Sequence, residues 1–411
     1  MSTDTEAAPT LRRSIGLIPL ILYGVGVTVG AGIYVLVGVT AGLAGTLAPL
    51  SFFLAAMIAA PSAFSFAELS ARLPKSAGEA VYVLEAFKSP RLSQITGLAV
   101  VFAGVVSSAT VTNGAAGYIE QILSIPVWLT KLLFVGSLGL IAIWGVVQSV
   151  AVTVLLTIIE MSGLLLILAV GTYDLNGLPP LPTLLHPESL SLSVIGIISG
   201  TFVAFFAFIG FEDLVNMAEE VREPERNMPR AIGWTLAITT LLYLSVATIA
   251  VSVVPPSVLA KSEAPLALVF EHATGHSAAF FAGIAVIATV NTVLVQIVMA
   301  ARVLYGMVSS GTMPAILGQI DSDTRTPIVA TLVAMSIVLI LSLAFPLAGL
   351  ARATTFAALS VFLLVNLALV RIKWRGDPVA EGQFTVGLWV PLSGALLTAA
   401  VLTFELVQLL P

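Results

Sequence analysis

Long apolar runs, separated by short polar segments, follow one another along almost the whole chain. A membrane-spanning helix needs about 20 mostly apolar residues, whereas a strand of a membrane barrel has about 10 residues that alternate in polarity. The runs in this sequence reach the length of such helices and do not alternate, so we interpret each as a membrane-spanning helix. The eleven predicted helices lie at about residues 15–44, 47–71, 93–123, 126–147, 149–173, 192–219, 229–254, 277–308, 327–346, 350–370 and 386–409.

The composition agrees with a membrane protein. Hydrophobic residues make up 58% of the chain and charged residues 9%, whereas a soluble domain has about 25% charged residues. A lipid bilayer is therefore the expected environment. The absence of cysteine excludes disulfides, thiolate metal sites and iron–sulfur clusters. The first apolar run is too long for the roughly 7–15 apolar residues of a signal peptide, so we expect a polar tail at 1–14 and then a retained helix.

Lysine and arginine predict the orientation, because short cytoplasmic loops are enriched in them. If the N-terminus is cytoplasmic, 14 of the 17 basic residues lie on the cytoplasmic side, and the other three are Lys131, Lys261 and Arg352. We therefore expect a multi-pass protein of the plasma (inner) membrane with a cytoplasmic N-terminus. Eleven helices then place the C-terminus on the extracytoplasmic side.

Two of the predicted helices carry signs of an interruption. The first contains GVGVTVGAGIYVLVG, and the sixth contains FFAFIGFED, where a glycine and two acidic residues fall within an apolar run. Each begins a set of five helices, at 15–173 and 192–370, and because five is odd the two sets have opposite topology. Paired interrupted helices at corresponding positions of inverted repeats are typical of a transporter's binding site. The predicted fold class is all-α, with 5+5 inverted repeats and one extra helix at 386–409.

An interruption of this kind exposes backbone groups that a ligand can use. Amides at the start of a half-helix attract a carboxylate, and carbonyls at the end of a half-helix attract an ammonium group. An α-amino acid carries both groups side by side, and glycine places no side chain between backbone and ligand. The expected carboxylate site is Gly30, Ala31 and Gly32. The expected ammonium site is Val27, Thr28, Ala207, Phe208 and Ile209.

Glycine also permits close packing of membrane helices, which is the competing interpretation. Gly26-Val-Thr-Val-Gly30 and Gly38-Val-Thr-Ala-Gly42 both fit the GxxxG pattern of packed helices. The matched positions of the two interrupted helices favour a binding site. On that hypothesis the substitution Gly32→Leu abolishes substrate binding, because the new side chain fills the carboxylate position.

Four stretches of the sequence resemble the amino acid–polyamine–organocation (APC) transporter superfamily. They are GVTVGAGIY in the first helix, ELSARLPKSAGEAVYVL after the second, FFAFIGFEDLVNMAEEVREPERNMPRAI around the sixth and AARVLYGMVSSGTMP at the end of the eighth. The resemblance extends over nearly the whole chain. It implies the inverted-repeat fold of sodium-coupled leucine transporters, and transport of amino acids, polyamines or similar amines.

The resemblance also implies roles for individual residues. It makes Phe206 an aromatic gate over the ligand, and it links an acid at the position of Glu212 to substrate recognition and pH sensing. The sequence departs from the family pattern in having eleven predicted helices where twelve are more common, and in Ala301 where serine is usual. Some relatives carry a lysine in helix 5 in place of a sodium ion, and this chain has Glu160 there.

Among the acidic residues of the predicted helices, three stand out by position: Glu160 in the middle of the fifth, and Glu212 and Asp213 after the interruption of the sixth. A charged carboxylate there costs about 2.5–3.5 kcal/mol or more, so each is expected to face a cavity or a partner. We predict that Glu212 and Glu160 bind the coupling proton. The alternatives are helix capping for Glu212 and Asp213, and a hydrogen bond from a neighbouring serine or threonine for Glu160.

Four other polar residues in mid-helix are candidates for lining the pocket. Each is an equally good candidate for a hydrogen bond between helices, worth roughly 0.6 kcal/mol. Sodium coupling, through Thr28 and two of these residues on helix 8, is less favoured than proton coupling. The mostly neutral pocket favours a neutral amino acid, and Glu212 leaves a cationic amino acid or a polyamine open. The four candidates are Asn113, Asn291, Thr292 and Ser360.

The predicted function is secondary active transport of an amino acid or related amine by alternating access, with proton symport. The alternatives are an amino acid or polyamine exchanger, and a sensor or channel without coupled transport. No P-loop or catalytic motif occurs, so we expect no cofactor, no enzymatic activity and no nucleic-acid partner. His272 and His276 have i, i+4 spacing but lie around a Thr-Gly loop, so no metal site is expected.

Overall fold

The computed structural model describes residues 13–75, 78–144, 150–171, 190–309, 313–321, 324 and 326–409. Within these ranges the regular elements are helices, apart from one isolated β-bridge. The α-helices are α1 (Leu17–Val29), α2 (Gly32–Ala44), α3 (Ala48–Arg72), α4 (Gly78–Phe87), α5 (Pro90–Glu120), α6 (Val127–Ile143), α7 (Val150–Gly171), α8 (Leu190–Phe205), α9 (Pro224–Val253), α10 (Pro256–Leu259), α11 (Pro265–Thr274), α12 (Ala278–Ser309), α13 (Ile328–Ala344), α14 (Leu347–Arg375) and α15 (Trp389–Leu409).

Eight stretches of the described chain are long and apolar enough to cross a membrane. One of them, Leu17–Arg72, contains two crossings, because the chain turns through Gly45–Leu47 between α2 and α3. Two shorter apolar helices, α6 and α13, have 17 residues each, which is the lower end of the spanning range. Over the described residues this agrees with the eleven predicted crossings.

Helices at the same position of the two predicted halves pack against each other. The most extensive pairs are α5 with α12 and α3 with α9, and α6 packs on α13 in the same way. These are the third, second and fourth crossings of each half. The division at 15–173 and 192–370 stays a prediction, as does the separate helix at 386–409. In the structure α15 lies against α14 and α3.

Three short helices lie outside the crossings. The amphipathic stretch after the second crossing forms α4, which packs on α5 and α14 and buries Tyr82 and Val83. The other two, α10 and α11, lie in the segment between α9 and α12. The sequence analysis missed both, because neither is long enough to give a hydrophobic period. The segment 174–191 between the two predicted halves is rich in proline, which predicts an irregular loop, and it lies almost wholly outside the described residues.

Glu68 joins the ends of three segments. Its Oε1 atom accepts hydrogen bonds from Arg72 Nε at 2.9 Å and pairs with Lys373 Nζ at 2.8 Å. Its Oε2 atom accepts the Val386 amide at 2.7 Å. The carboxylate is fully buried and has a cation or an amide at each oxygen, as a buried charge requires. This cluster ties α3 to α14 and to the segment before α15.

The start of α1 is tied to the chain just before α9. The amides of Ser14 and Ile15 donate to the Glu220 carbonyl at 2.9 and 3.0 Å, and the Arg222 amide donates to the Ile15 carbonyl at 2.9 Å. Ile15 and Val221 thereby form the isolated parallel β-bridge. The first and sixth crossings are therefore joined at this end by main-chain hydrogen bonds.

Candidate binding site

The first crossing is broken at Gly30 and Ala31. Gly30 has φ 33° and ψ −135°, a backbone conformation that favours glycine and ends α1. Its amide still donates to the Gly26 carbonyl at 2.9 Å. The next amide, that of Ala31, donates to Thr292 Oγ1 on α12 at 2.9 Å. The α-helix resumes at Gly32, so this break is only two residues long.

The sixth crossing is broken over a longer stretch. After α8 the chain forms a short 3₁₀ turn at Phe206–Phe208, an extended residue at Ile209, and a glycine at 210 with φ 132°. The Gly210 amide donates to Glu212 Oε2 at 2.7 Å. Beyond it, Phe211–Glu220 forms a 3₁₀ helix instead of returning to an α-helix. The predicted interruption is therefore present, and Glu212 caps the backbone within it.

The two breaks lie directly against each other. A Cβ atom on Gly210 would lie 2.7 Å from the Val27 carbonyl oxygen and 2.9 Å from Thr28 Cα. A Cβ atom on Gly32 would lie 2.7 Å from Ala207 Cα. Both glycines are thus needed because one backbone approaches another. This changes the physical reason for the expected effect of Gly32→Leu, since the new side chain would push the two breaks apart.

Other glycines of the first crossing serve helix packing. Gly24 faces Thr235 and Leu214, and Gly26 faces Thr157 on α7. For these two positions the packing interpretation accounts for the residue. For Gly30 and Gly32, which lie at the break itself, the binding-site interpretation stays a prediction.

A tyrosine hydroxyl joins the two breaks. Tyr243 on α9 is buried, and its Oη lies 2.8 Å from the Thr28 carbonyl and 2.7 Å from the Ala207 carbonyl, so that it donates its single proton between them. Its ring also packs edge-on against Phe208 with centroids 5.0 Å apart. Each carbonyl oxygen has two lone pairs, so each keeps one for another donor such as an ammonium group.

The predicted carboxylate site is narrower in the structure than the sequence analysis expected. The amides of Gly30 and Ala31 donate to protein acceptors, as described above. Gly32 and Ile33 occupy the first turn of α2, where an amide has no acceptor within its own helix. The site that remains for an anion is therefore the N-terminus of α2, facing the break at Ala207.

Glu160 lies behind the first break on α7. Its main-chain carbonyl accepts a hydrogen bond from Tyr34 Oη at 2.6 Å. The carboxylate is fully buried, and within the described structure neither of its oxygens has a hydrogen-bond partner. The Asn291 amide lies beside it, and Asn291 Nδ2 and Thr28 Oγ1 are likewise buried without partners. An ionised carboxylate in such a position is very costly, so this one is suited to carry a proton.

Asp213 and Glu212 face a small cavity next to the second break. Asp213 Oδ2 accepts a hydrogen bond from Gln296 Nε2 on α12 at 3.0 Å. Gln296 can lie there because Gly104 on α5 has no side chain, and a Cβ at that position would lie 2.8 Å from Gln296 Oε1. The cavity has a volume of about 30 Å³, and Glu79 of α4 forms another part of its wall.

The remaining candidates divide between the site and its surroundings. Thr292 and Asn291 lie at the first break, as described above. Asn113 donates to the Phe345 carbonyl at 3.0 Å and so links α5 to the end of α13. Ser360 donates to the Phe356 carbonyl of its own helix at 2.8 Å. Phe206 is buried in the 3₁₀ turn of the second break. No group of residues that could hold a metal ion occurs within the described ranges.

Comparison with known proteins decides the family. Residues 15–410 match the family model described as amino acid permease. The chain belongs to the amino acid permease family. The resemblance to the amino acid–polyamine–organocation superfamily is thereby confirmed, together with a multi-pass membrane fold.

Several characterised proteins are similar to this permease. It is 27% identical over 394 residues to the branched-chain amino acid permease BcaP of Bacillus subtilis (strain 168), which covers 90% of this chain and 83% of that protein. It is 26% identical over 403 residues to the vacuolar cationic amino acid transporter 4 of Arabidopsis thaliana, covering 92% and 66%. It is 24% identical over 401 residues to the methylthioribose transporter of Bacillus subtilis (strain 168), covering 92% and 84%.

Three residues that lie at the breaks or at the cavity beside them were missed by the sequence analysis. Gln296 lies four residues after Thr292, on the same face of α12, and this spacing was a usable signal. Tyr243 and Glu79 gave no such signal. Tyr243 is a single aromatic residue in an apolar helix, and Glu79 reads as an ordinary loop acid until α4 packs against the bundle.

Proposed function

We propose that this permease is a secondary active transporter of amino acids or related amines, working by alternating access with proton symport. The observation that carries the proposal is the contact between the two breaks, which brings the N-terminus of α2 against Ala207, whose carbonyl shares the Tyr243 hydroxyl with the Thr28 carbonyl. A positive helix end near these two carbonyls complements the carboxylate and ammonium groups of an α-amino acid. The relatives named for branched-chain and cationic amino acids support this substrate class.

Glu160 is the proposed proton carrier, with Glu212 as a second. Glu160 is buried, and among the described residues neither carboxylate oxygen has a hydrogen bond; it interacts electrostatically with Tyr243, whose hydroxyl donates to the Thr28 carbonyl at the break. A proton taken up there neutralises a charge next to the backbone that binds the substrate. Glu212 accepts the amide of Gly210 in the other break, so its protonation would weaken that contact. Both acids therefore couple a proton to the conformation of a break.

For the orientation we propose a plasma membrane location with the N-terminus in the cytoplasm and the C-terminus outside. The distribution of lysine and arginine supports this arrangement. The N-terminal segment, the Glu68 cluster and α4 would then lie together on the cytoplasmic side. Labelling of a cysteine introduced at Ser14, with a reagent that cannot cross the membrane, tests it in intact cells: labelling from outside would contradict the proposal.

Uptake by proteoliposomes tests the transport proposal. The full chain is reconstituted and given a labelled amino acid mixture, with and without an inward proton gradient, and with and without amino acids inside. Accumulation driven by the gradient alone is expected. Uptake only into preloaded vesicles would instead indicate exchange. Absence of uptake in every condition would contradict amino acid transport, and methylthioribose and polyamines would be tried next, since one relative is named for the former.

Two variants locate the proton site in the same assay. Glu160→Gln is expected to abolish accumulation driven by the gradient while amino acid exchange persists, because the amide keeps the shape but binds no proton. Glu212→Gln is expected to lower it in part. Glu271→Gln is the matched control, since Glu271 is an exposed acid on α11. Unchanged accumulation in Glu160→Gln would show that the proton binds elsewhere.

A further inference from the structure

The cavity beside the second break is a candidate subsite in its own right. Its polar wall consists of Glu79, Ser107, Glu212, Asp213 and Gln296, and the rest of the wall is apolar surface from α5 and α14 together with Ile209. Because Ile209 lies in the break and Glu212 accepts the Gly210 amide there, the cavity lies next to the second break of the proposed amino acid site. A water molecule needs about 10–15 Å³ measured in this way. A volume of about 30 Å³ therefore admits one or two small polar groups.

The ionisable side chains among the described residues that line this cavity are all acidic. Its three carboxylates interact electrostatically with one another, Glu79 with Asp213 and Glu212 with both. Among the described residues that line it there is no lysine, arginine or histidine. Glu212 accepts a hydrogen bond from the Gly210 amide and Asp213 accepts one from the Gln296 side chain, and both donors are neutral. Three acids in one buried space repel one another unless protons or a cation accompany them.

The carboxylate of Glu79 is a second, independent observation that points to a ligand in this cavity. Glu79 lies in the first turn of α4, only 2% exposed, and its Oε1 atom has no hydrogen-bond partner among the described residues. Its neighbour Tyr82, which could donate, also has a hydroxyl without a partner in the described part of the chain, so it does not satisfy Glu79. Buried polar atoms in folded proteins nearly always have a partner. An unpartnered carboxylate oxygen in the wall of an acidic cavity points to a donor that comes from the ligand.

We propose that this cavity binds the terminal ammonium group of a cationic amino acid of lysine or ornithine length, while the α-carboxylate and α-ammonium groups occupy the helix breaks. The inference rests on the proposed function and names its substrate class. An ammonium group has three donors and no acceptor, which matches three carboxylates. A guanidinium group is larger and planar, so the small cavity selects lysine over arginine. Glu79 and Asp213 are then specificity residues.

Binding of two ligands of similar shape tests the proposal. L-Lysine and L-norleucine share an α-amino acid head and an unbranched chain, but only lysine carries the terminal ammonium group. For the purified full chain, lysine is expected to bind at least tenfold more tightly than norleucine and than arginine. Glu79→Gln is expected to lower the lysine-to-norleucine affinity ratio about tenfold. Asp213→Asn is the second variant, in case the first does not fold, and should lower the ratio similarly.

Glu405→Gln provides the matched control. Glu405 is also a buried glutamate, 2% exposed, but it lies on α15 beside Arg352 and away from the cavity. Its substitution should leave the lysine-to-norleucine ratio within twofold of the wild type. A wild-type ratio near one, or a ratio that Glu79→Gln does not change, overturns the subsite while amino acid binding still stands. Absence of binding by both ligands would contradict the proposed function itself.

Exchanging the salt in the buffer tests whether the cavity binds the ammonium group of the ligand or an inorganic cation. If the cavity holds an inorganic cation, replacing choline chloride by sodium chloride will tighten norleucine binding in the wild type and not in Glu79→Gln. That result would overturn the proposal. If the cavity holds the ligand's ammonium group, norleucine binding should be insensitive to the exchange, and sodium should at most compete with lysine.

The pH dependence provides a further readout. Burial, with a smaller contribution from Asp213, raises the pKa of Glu79 to about 8. The groups facing it are Asp213 and Glu212 from the break, neutral Gln296 from α12 and Tyr82 on its own helix. Raising the pH from 7 to 9 ionises Glu79, while the lysine side chain, with an ordinary pKa near about 10.4, stays charged. The lysine-to-norleucine ratio should therefore rise, and this rise should vanish in Glu79→Gln. A ratio that is flat with pH in the wild type would contradict the role of Glu79.

Discussion

The two breaks expose backbone amides that are satisfied by different kinds of partner. The break in the first crossing spans two residues, returns at once to an α-helix, and passes one amide to Thr292 on another helix. The break in the sixth spans 206–210, continues as a 3₁₀ helix, and satisfies its glycine amide with Glu212, two residues away. One break is stabilised from outside its own segment and the other from within it.

Because their partners differ, the geometry of each break depends on a different part of the molecule. Because the first depends on Thr292, its geometry follows the position of α12. The second is followed directly by Glu212 and Asp213, and so has acidic groups of its own. Tyr243 on α9 connects them, through the carbonyls of Thr28 and Ala207. We therefore predict that a substitution that separates the two breaks lowers substrate affinity more than a substitution that removes a group supporting only one of them.

The largest effect is expected from Gly210→Ala. Its positive φ would strain any other residue, by about 1–3 kcal/mol, and the new Cβ would overlap the backbone at Val27 and Thr28. Affinity for the amino acid identified in the uptake assay should fall at least about 30-fold, since 1.4 kcal/mol is a factor of ten. Gly233→Ala is the control, because a Cβ there meets nothing within 4 Å. Equal affinities in the two variants would disprove the close contact.

An intermediate effect is expected from Tyr243→Phe. Removing the hydroxyl takes the donor from two buried carbonyls, and leaving a buried acceptor unsatisfied costs about 1–3 kcal/mol. Substrate affinity should fall about tenfold and the melting temperature in detergent should drop. Tyr305→Phe on α12 is the comparison, since Tyr305 is exposed. If both variants behave like the wild type, the hydroxyl does not hold the breaks together.

The smallest effect of the three is expected from Thr292→Val. Valine has nearly the same shape but cannot accept the Ala31 amide, so one buried donor loses its partner, at about 1 kcal/mol. Affinity should fall about fivefold, and Thr292→Ser should restore most of it. Thr248→Val serves as control, because that hydroxyl bonds only to the Leu244 carbonyl within its own helix. A loss as large as that of Gly210→Ala would contradict the ranking.

The positions of the breaks were predictable from sequence, and their neighbours were not. Glycines within an apolar run mark where a helix stops, which located Gly30 and Gly210. The partners come from helices distant along the chain: Tyr243 lies 215 residues from Thr28, and Gln296 lies 83 residues from Asp213. Apolar runs in a membrane carry almost no periodicity that would fix how each helix is rotated. The sequence therefore predicts which residues are polar, but not which of them meet.

The lack of information on tertiary contacts also explains why the predicted carboxylate site included amides that bond to protein acceptors. Sequence reasoning counted every amide of the first break as free, because it had no means of placing the Thr292 hydroxyl against Ala31. It also left Glu79 between two predicted helices with no role, since the burial of α4 depends on contacts with α5 and α14. In both cases the missing information is tertiary.

The pairing of Ile15 with Val221 has a consequence for how the site opens. Three main-chain hydrogen bonds join the beginning of α1 to the segment that follows the second break. Since α1 leads into one break and 211–220 leads out of the other, these hydrogen bonds couple the two arms at one side of the breaks. We therefore expect α1 and 211–220 to move as one body when the site opens toward this side. Both breaks would then release a bound substrate at the same time.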